Sequence, residues 1–386
     1  MRRGGIDAIT LSLIISRKLG VGSRDISFGG LKDAVAITSQ VVSVRGISIN
    51  EVPSDFGRGI KVLSVVSMDR AFTTGDIWGG NEFTIRVRNI DPSRKDNINC
   101  MINQLMERGL PTYYGYQRFG LKRPNSHVIG KHIIFGEFED AVNELLAHAY
   151  PMEPPPRIRE VREFIARTGD YSKALELMPK SYRYYPERAV LRQLASNPPR
   201  DFVNALRKLP PRELLNLYVE SYQSYLFNLA LSERIGRGLP INRALPGDIV
   251  ALLDEHGLPT KHVIHVNETM VDKVNELVIK GRAIPVGGHL VGYNTKFPPG
   301  IQSDIELSVL RREGVDLSMF MVKSIPRLSV RGGGYRPLFT KLIIIGINLV
   351  NYELNIVFRL PPRGNYATVF LRELMKSRHP PEIDFT

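Results

Sequence analysis

The chain has 386 residues, of which 43% are hydrophobic and 24% are charged. This length exceeds what one small core needs, so we expect at least two domains in an ordinary globular protein. The 52 lysines and arginines outnumber the 39 acidic residues, which gives a net charge of +13 spread along the chain. Such a surface is better suited to a large polyanion than to a small anion, and nucleic acid is the first candidate. The alternative is that the basic surface is only solvated and binds no nucleic acid.

The cysteine content and the apolar runs limit the class of protein further. Cys100 is the single cysteine, which excludes an intramolecular disulfide and a cysteine-based zinc site. The first residues lack the apolar core of a signal peptide, and the longest apolar run, 342–350, is shorter than the roughly 20 residues of a membrane span. We therefore expect a cytoplasmic protein that does not bind membranes. We also expect a monomer, although no pattern decides the oligomeric state.

Hydrophobic periodicity predicts β-rich ends around a helical middle. Helices are predicted at 6–19, 96–108, 157–166, 172–178, 187–195, 199–208, 212–235 and 301–313. Strands are predicted at 26–30, 38–45, 60–66, 82–89, 327–331, 341–350 and 352–360. The return of strands after a helical region indicates that one domain is inserted into a loop of another.

The segment 28–40 places one carboxylate, Asp33, on a glycine turn between two strand-like segments, directly after Lys32. A carboxylate on a tight loop above a sheet is well placed for chemistry. The alternative is an aspartate that merely favours a turn.

Three further segments carry candidate binding residues. The strand Asn81–Arg88 alternates, with Phe83 on the buried side and a basic outer face, so it suits base stacking or is simply a sheet strand. The segment 113–120 interleaves aromatic residues, glycine and Arg118, a mixture that can stack on bases or form a buried turn. On the helix containing 220–228, we take Tyr222 and Gln223 as candidate substrate contacts, with core packing as the alternative.

Other patterns give weaker indications. Gly332–Gly334 lacks the frame of a phosphate-binding loop, and no dinucleotide fingerprint is present. The pairs His127 with His132 and His262 with His265 lack further ligands of recognisable spacing, so we expect no metal.

Five segments follow one another along the chain: Phe-Gly-Gly-Leu-Lys-Asp, Asn-Glu-Phe, Tyr-Gly-Tyr-Gln-Arg-Phe-Gly, Ser-Tyr-Gln-Ser-Tyr-Leu-Phe-Asn and, at 359–374, Arg-Leu-Pro-Pro-Arg-Gly-Asn-Tyr-Ala-Thr-Val-Phe-Leu-Arg-Glu-Leu. Together they resemble the TruD family of tRNA pseudouridine synthases, in particular its archaeal members. The resemblance covers nearly the whole chain. It implies an α+β fold whose catalytic domain, with a mixed, mainly antiparallel sheet, is split by an inserted α/β domain specific to the family. The expected boundaries are 1–125 and 326–386 for the two catalytic parts and 126–325 for the insert.

The resemblance also implies a reaction, the isomerisation of uridine to pseudouridine in tRNA, with uridine 13 as the family's usual target and without cofactor or metal. It implies that Asp33 is the nucleophile, that Phe83 holds the flipped base and that Asn81 hydrogen-bonds near the nucleophile. We expect Gln117, Arg118 and Phe119 to shape the same cleft.

The nucleophile has to stay ionised in a closed pocket, and burial opposes this unless a cation compensates. Arg372, on the helix after Asn365, is our candidate partner for Asp33, and Lys32 is the alternative.

Two departures from the family pattern bear on activity. Similar proteins begin a few dozen residues earlier, with a segment that lines the cleft, and they often carry basic residues where this chain has Ala34 and Val35. A non-catalytic RNA-binding protein that keeps the fold is therefore the alternative function. A glycosidase-like enzyme is set aside because no second carboxylate stands in a comparable motif.

Overall fold

The computed structural model describes residues 2–4, 6, 8–30, 32, 36–70, 72, 76, 79–153, 155–181, 184–196, 200–210, 213–362 and 364–376. The chain divides into two compact units, residues 1–81 and 82–386. Among the described residues, no helix combines the length and the apolar character that a membrane span needs.

The helices are α1 (Ala8–Leu19), α2 (Lys95–Arg108), α3 (Ser126–Phe135), α4 (Phe138–Leu146), α5 (Pro156–Thr168), α6 (Tyr171–Leu177), α7 (Tyr185–Ser196), α8 (Phe202–Arg207), α9 (Glu213–Gly236), α10 (Val271–Ile279), α11 (Ile301–Glu313) and α12 (Ala367–Met375). The strands are β1 (Arg2–Gly4), β2 (Ile26–Phe28), β3 (Ile37–Ser39), β4 (Val42–Val44), β5 (Asp55–Gly57), β6 (Ile60–Lys61), β7 (Asn81–Arg88), β8 (Leu110–Pro111), β9 (Ile249–Leu253), β10 (Pro259–His265), β11 (Ala283–Leu290), β12 (Gly334–Pro337), β13 (Phe339–Thr340), β14 (Ile343–Val350) and β15 (Glu353–Leu360). The α+β class predicted from the sequence, with antiparallel pairing of strands, is confirmed.

The first unit is built from short strands around α1. A sheet of order β3-β1-β6-β5 and a separate antiparallel pair of β2 with β4 lie in this unit. The apolar stripe of α1 is buried in the core, with Leu11 and Ile15 fully covered, and it packs with Phe56 and Ile60. The predicted strand 60–66 is shorter than expected, because pairing ends at Lys61 and the apolar residues that follow are largely exposed.

The second unit contains a sheet that joins distant parts of the chain, in the order β14-β15-β7. Strand β7 comes before the helical region, whereas β14 and β15 follow it. The side-chain pairs Glu82 with Arg359 and Arg86 with Asn355 show that β7 and β15 run in opposite directions. The two C-terminal strands form a hairpin whose tight turn, predicted at Asn351, has positive φ at Asn351 and Tyr352, as a two-residue hairpin loop requires.

The helical region of the second unit encloses the largest apolar core, to which helices α3 to α9 and α11 contribute. Helices α5 to α9 and α11 overlap the predicted ranges, whereas α3 and α4 lie where no helix was predicted. Gly314 ends α11 in the left-handed conformation, as expected for a helix C-terminus. A second sheet, of order β10-β9-β11-β12, packs beside α10. The predicted strand 327–331 is wrong: a 3-10 turn occupies Pro326–Leu328, and pairing begins only at β12. The three-part division at 126 and 326 stays a prediction.

A buried ion pair holds the first helices of this region together. The guanidinium of Arg162 makes two parallel hydrogen bonds of 2.7 Å to the carboxylate of Glu153, and both side chains are almost fully buried. Arg162 also donates to the carbonyls of Leu145 and Leu146 at the end of α4. The positive charge thus lies where the helix presents unpaired carbonyl groups.

We expect Arg162→Met to lower the free energy of unfolding by about 3–5 kcal/mol, because it leaves the buried carboxylate of Glu153 without its bidentate partner. Urea denaturation followed by circular dichroism measures the change. Arg167→Met, at an exposed position of the same helix, is the control and should stay within about 0.5 kcal/mol of the wild type. Equal stabilities for the two variants would contradict this role of the pair.

Candidate functional site

The glycine turn of the first unit positions a lysine and an asparagine. Gly30 has a φ of +101°, and a Cβ on Gly29 would lie 3.0 Å from the Phe72 ring, so the turn depends on glycine. Lys32 follows the turn, and its Nζ donates a 2.7 Å hydrogen bond to Oδ1 of Asn81. The predicted nucleophile, Asp33, lies outside the described residues. The structure therefore brings together Lys32 and Asn81, two of the predicted site residues.

Phe83, the predicted base-stacking residue, lies at the start of the second unit on β7. Its half-buried ring stacks on Phe358, with the ring centroids 5.2 Å apart and an interplanar angle of 18°. One ring face is therefore covered by protein. The outer face of β7 is exposed as predicted, but its charge is reduced because Arg86 and Arg88 both approach Glu353.

The segment Tyr113–Phe119, called here the aromatic segment, is held by a row of polar side chains on α9. Asn228 uses both atoms of its amide, accepting from the backbone N–H of Tyr114 at 2.8 Å and donating to its carbonyl at 3.0 Å. Ser232 donates to the hydroxyl of Tyr113 at 3.1 Å. These bonds replace the regular backbone pairing that the aromatic segment lacks.

Arg118 extends the same attachment at the other end of the aromatic segment. Its Nε donates to Oγ of Ser224 at 3.0 Å, and its Nη2 donates to the carboxylate of Glu220 at 3.1 Å. Ser221 donates to the backbone carbonyl of Arg118. The Arg118 side chain is one-fifth exposed and Glu220 is half exposed, so this ion pair lies at the surface.

Residues 359–374, called here the C-terminal motif, are linked to the aromatic segment through Arg336 and Thr368. The guanidinium of Arg336 lies over the Tyr114 ring, 3.9 Å from its centroid, and donates to the carbonyl oxygens of Thr112 and Gly364. The hydroxyl of Thr368 donates to Oε1 of Gln117 at 3.0 Å. The rings of Tyr114 and Tyr366 are 6.2 Å apart. These contacts form a cluster of aromatic and cationic side chains that suits nucleic acid.

Burial shapes the electrostatics of this cluster. It raises the pKa of Tyr366, and Arg336 and Arg118 oppose that shift. It also lowers the pKa of Arg336, although an arginine keeps its charge at any physiological pH. Among the described residues no carboxylate pairs with Arg336, so carbonyl oxygens and a tyrosine ring compensate its charge.

The remaining predicted site residues lie apart from this cluster or have structural partners. Tyr222 is fully buried and donates to Glu313, while the amide of Gln223 is buried and donates to the carbonyl of Val291. RNA cannot reach either side chain, which corrects their assignment as substrate contacts in favour of core packing. Arg372 is exposed on α12, where its guanidinium pairs with Glu373 at 3.3 Å.

His127 connects Phe119 to the helical core. Its ring lies 5.1 Å from that of Phe119 and 4.7 Å from that of Tyr225. Its Nδ1 is buried without a hydrogen-bond partner among the described residues. Burial lowers the pKa of His127 from 6.5, against the opposing effect of Glu144 and Glu313. The neutral imidazole thus serves as an apolar ring behind the aromatic segment.

One surface group has the composition of a metal site. Ligand atoms of His132, Glu137 and Asp140 lie within 4.8 Å of one another. The His132 ring nitrogen is 2.7 Å from the carboxylate of Glu137, at the surface. A surface hydrogen bond accounts for this arrangement, and nothing in it requires a metal.

Sequence reasoning missed Arg336 and the role of Asn228. A signal for Asn228 was present, because Glu220, Ser224, Asn228 and Ser232 recur every four residues and form one polar stripe along α9. Arg336 gave no such signal, because its partners are far away in the chain.

Comparison with known proteins places this chain in a family. A sequence model described as tRNA pseudouridine synthase D (TruD) matches residues 1–374. A relative from Pyrobaculum islandicum, named probable tRNA pseudouridine synthase D, is 38% identical over 97% of this chain and 82% of its own length. A relative of the same name from Methanopyrus kandleri is 36% identical over 94% of this chain and 81% of its own.

A solved structure agrees with these matches. The crystal structure of a protein described as TruD from Methanosarcina mazei has a TM-score of 0.82 and 33% identity, and it covers 98% of this chain and 87% of its own. The fold and the matched relatives thus define an RNA-modifying class of protein. The chain belongs to the tRNA pseudouridine synthase D family, a family of isomerases that act on tRNA, which confirms the resemblance inferred from the sequence.

We expect His127→Phe to reduce the loss of stability on acidification. The folded pKa of His127 lies below its usual 6.5, so as the pH falls below that value the unfolded chain binds the proton more readily and stability is lost. A single histidine contributes at most about 1.4 kcal/mol per pH unit.

Urea denaturation at pH 7.5 and 5.5 measures this difference between wild type and variant. The exposed His262, replaced by Phe, is the control and should keep the wild-type dependence on pH. A His127→Phe variant that loses as much stability as the wild type would contradict the assignment.

Proposed function

We propose that this protein converts uridine to pseudouridine in tRNA, with uridine 13 as the target and Asp33 as the nucleophile. The observation that carries the proposal is membership of the family over nearly the whole chain, with the Gly-Leu-Lys-Asp motif intact. The hydrogen bond from Lys32 to Asn81 supports it, because it fixes the residue directly before Asp33. A cytoplasmic location follows from this proposed function.

The chemistry requires a bond from N1 of uracil to C1′ of ribose to break and a bond from C5 to C1′ to form. C5 loses its proton and N1 gains one, so the product is an isomer of the substrate. A carboxylate serves such a reaction either by attacking covalently or by acting as a base at the sugar, which divides one difficult step into two. No cofactor is needed for either route. Asp33 is proposed for this role, and it has to be ionised to fulfil it.

The cation that keeps Asp33 ionised is proposed to be Lys32 or Arg372. Lys32 precedes Asp33 in the chain, lies in the same unit and is half-buried, so its charge is poorly screened. Arg372 is exposed and already pairs with Glu373. These contacts favour Lys32 over Arg372.

The uridine has to leave its stack before it can react, and aromatic side chains then hold the extruded base. Phe83 is proposed to stack on it, with Asn81 hydrogen-bonding nearby. Gln117, Arg118 and Phe119 are proposed to contact the surrounding RNA, because the aromatic segment presents them from a rigidly attached turn. The net charge of +13 supports binding to the phosphate backbone, so affinity for tRNA should fall steeply as salt rises.

We expect Asp33→Asn to lower the rate of pseudouridine formation at least about 10³-fold, because the amide lacks the nucleophilic oxygen anion. Unmodified tRNA transcripts are incubated with the protein, treated with carbodiimide and mapped by reverse-transcription stops. Asp69→Asn, at an exposed position of the same unit, is the control and should keep the wild-type rate.

The position of an Asp33-dependent stop identifies the modified uridine. A stop at another uridine would overturn the proposed target alone. Tight, salt-sensitive binding of tRNA without any stop would contradict the isomerase activity and favour a non-catalytic RNA-binding protein.

We expect Lys32→Met to move the acid limb of the pH–rate profile upward by about one to three pH units, because loss of the cation makes ionisation of the nucleophile harder. Single-turnover rates between pH 5 and 9 measure the shift. Arg372→Met is the matched comparison, and its profile should keep the wild-type midpoint. The reverse result would assign the compensating charge to Arg372, whereas two unchanged profiles would exclude both residues.

A further inference from the structure

Arg336 lies on β12, where its backbone pairs with Gly287 of β11, and its side chain contacts two other segments. Its Nε donates to the carbonyl of Thr112 at 2.9 Å, and its Nη2 donates to the carbonyl of Gly364. One guanidinium therefore joins the residue directly before the aromatic segment to the C-terminal motif.

Local geometry around Gly364 fits the guanidinium closely. Gly364 has a φ of +72°, which favours glycine, and a Cβ at this position would lie 2.5 Å from Nη1 of Arg336. Any other residue would have to displace the guanidinium as well as adopt a strained backbone. The observed position of the guanidinium therefore depends on glycine at position 364.

The free-energy cost of burying the Arg336 guanidinium indicates that this residue serves to position other groups. Arg336 is only 9% exposed and, among the described residues, has no carboxylate partner. Burying a cation is unfavourable unless its donors are satisfied, and an apolar side chain would fill the same space at a lower cost. What arginine supplies here is a rigid, planar set of donors that fixes two carbonyl groups relative to each other.

Other contacts make the aromatic segment and the C-terminal motif one assembly. Thr368 donates to Gln117, and the ring of Tyr114 contacts the guanidinium of Arg336 and the ring of Phe227, with the ring of Tyr366 6.2 Å away. Asn228 holds the backbone of Tyr114 on the side of α9. Arg336 donates to Thr112, directly before the aromatic segment, and to Gly364 in the C-terminal motif, and it also covers the ring of Tyr114.

We propose that Arg336 is a positioning residue for the reaction: it locks the aromatic segment to the C-terminal motif, so that Tyr114, Gln117 and Tyr366 form a contact surface for RNA before the substrate arrives. This inference rests on the proposed function. A preformed surface avoids the cost of ordering these side chains during binding and keeps the bound uridine aligned for the chemical step.

The test compares Arg336→Lys with the matched control Arg188→Lys. Arg188 also donates to two backbone carbonyls, those of Leu175 and Met178, but it lies in the helical region away from both segments. Lysine keeps the charge but not the planar fork of donors. Hydrogen exchange of the free protein and single-turnover pseudouridine formation at saturating tRNA are measured for each variant.

For Arg336→Lys we expect faster exchange in 112–119 and 361–368 and a rate about 10- to 100-fold lower, with the dissociation constant for tRNA changed less than about threefold. For Arg188→Lys we expect wild-type exchange in both segments and a wild-type rate. Gly364→Ala disrupts the same contact from the side of the backbone, so it should also increase exchange and lower the rate. The variant with both Arg336→Lys and Gly364→Ala should have a rate no lower than that of the slower single variant.

Unchanged exchange in Arg336→Lys would overturn the proposal, and so would faster exchange with an unchanged rate. Equal losses of rate in both lysine variants would assign the effect to general stability. If the wild type forms no pseudouridine at all, the proposed function fails, and the exchange pattern alone then decides whether Arg336 links the two segments.

Discussion

The two hydrogen bonds between Asn228 and the backbone of Tyr114 are the interaction on which the candidate site depends. The aromatic segment has little regular structure, so its backbone groups need partners from elsewhere, and α9 supplies them from one stripe of side chains. The opposite side of α9 is buried in the helical core through residues such as Tyr222 and Leu226. One helix therefore serves as core and as scaffold, and the position of the aromatic segment is only as precise as the packing of that helix.

The buried arginines Arg162, Arg234 and Arg336 all donate hydrogen bonds to oxygen atoms, but the kind of acceptor differs. Arg162 and Arg234 each face a carboxylate in a bidentate pair and donate additionally to other buried oxygens. Among the described residues, Arg336 instead has two carbonyl groups and the rings of Tyr114 and Phe227 as partners. The first two pairs are neutral as a whole and serve packing. Arg336 leaves a positive charge in place, which raises the electrostatic potential beside a surface proposed to meet RNA.

Local patterns predicted most of the helices and the C-terminal hairpin, because periodicity, glycine stops and turn residues act over a few positions. The strands expected at 60–66 and 327–331 show where this reasoning ends: β-branched residues favour extended chain, but a strand also needs a partner that only the tertiary fold provides. Gly29, Lys32 and Asn81 were recognisable from a motif. Arg336 was not, since its contacts with Thr112 and Gly364 join segments that no short window contains.

The distances along the chain between contacting residues have a consequence for synthesis of the protein. Arg336 meets Thr112 across 224 positions, and Thr368 meets Gln117 across 251. The helices between them make mainly contacts with near neighbours and can form while the ribosome is still working. The aromatic segment, by contrast, lacks these partners until residues as far as Thr368 have been synthesised. Synthesis of the C-terminal motif is therefore the event that assembles the site, and a nascent chain that ends before this motif lacks the site.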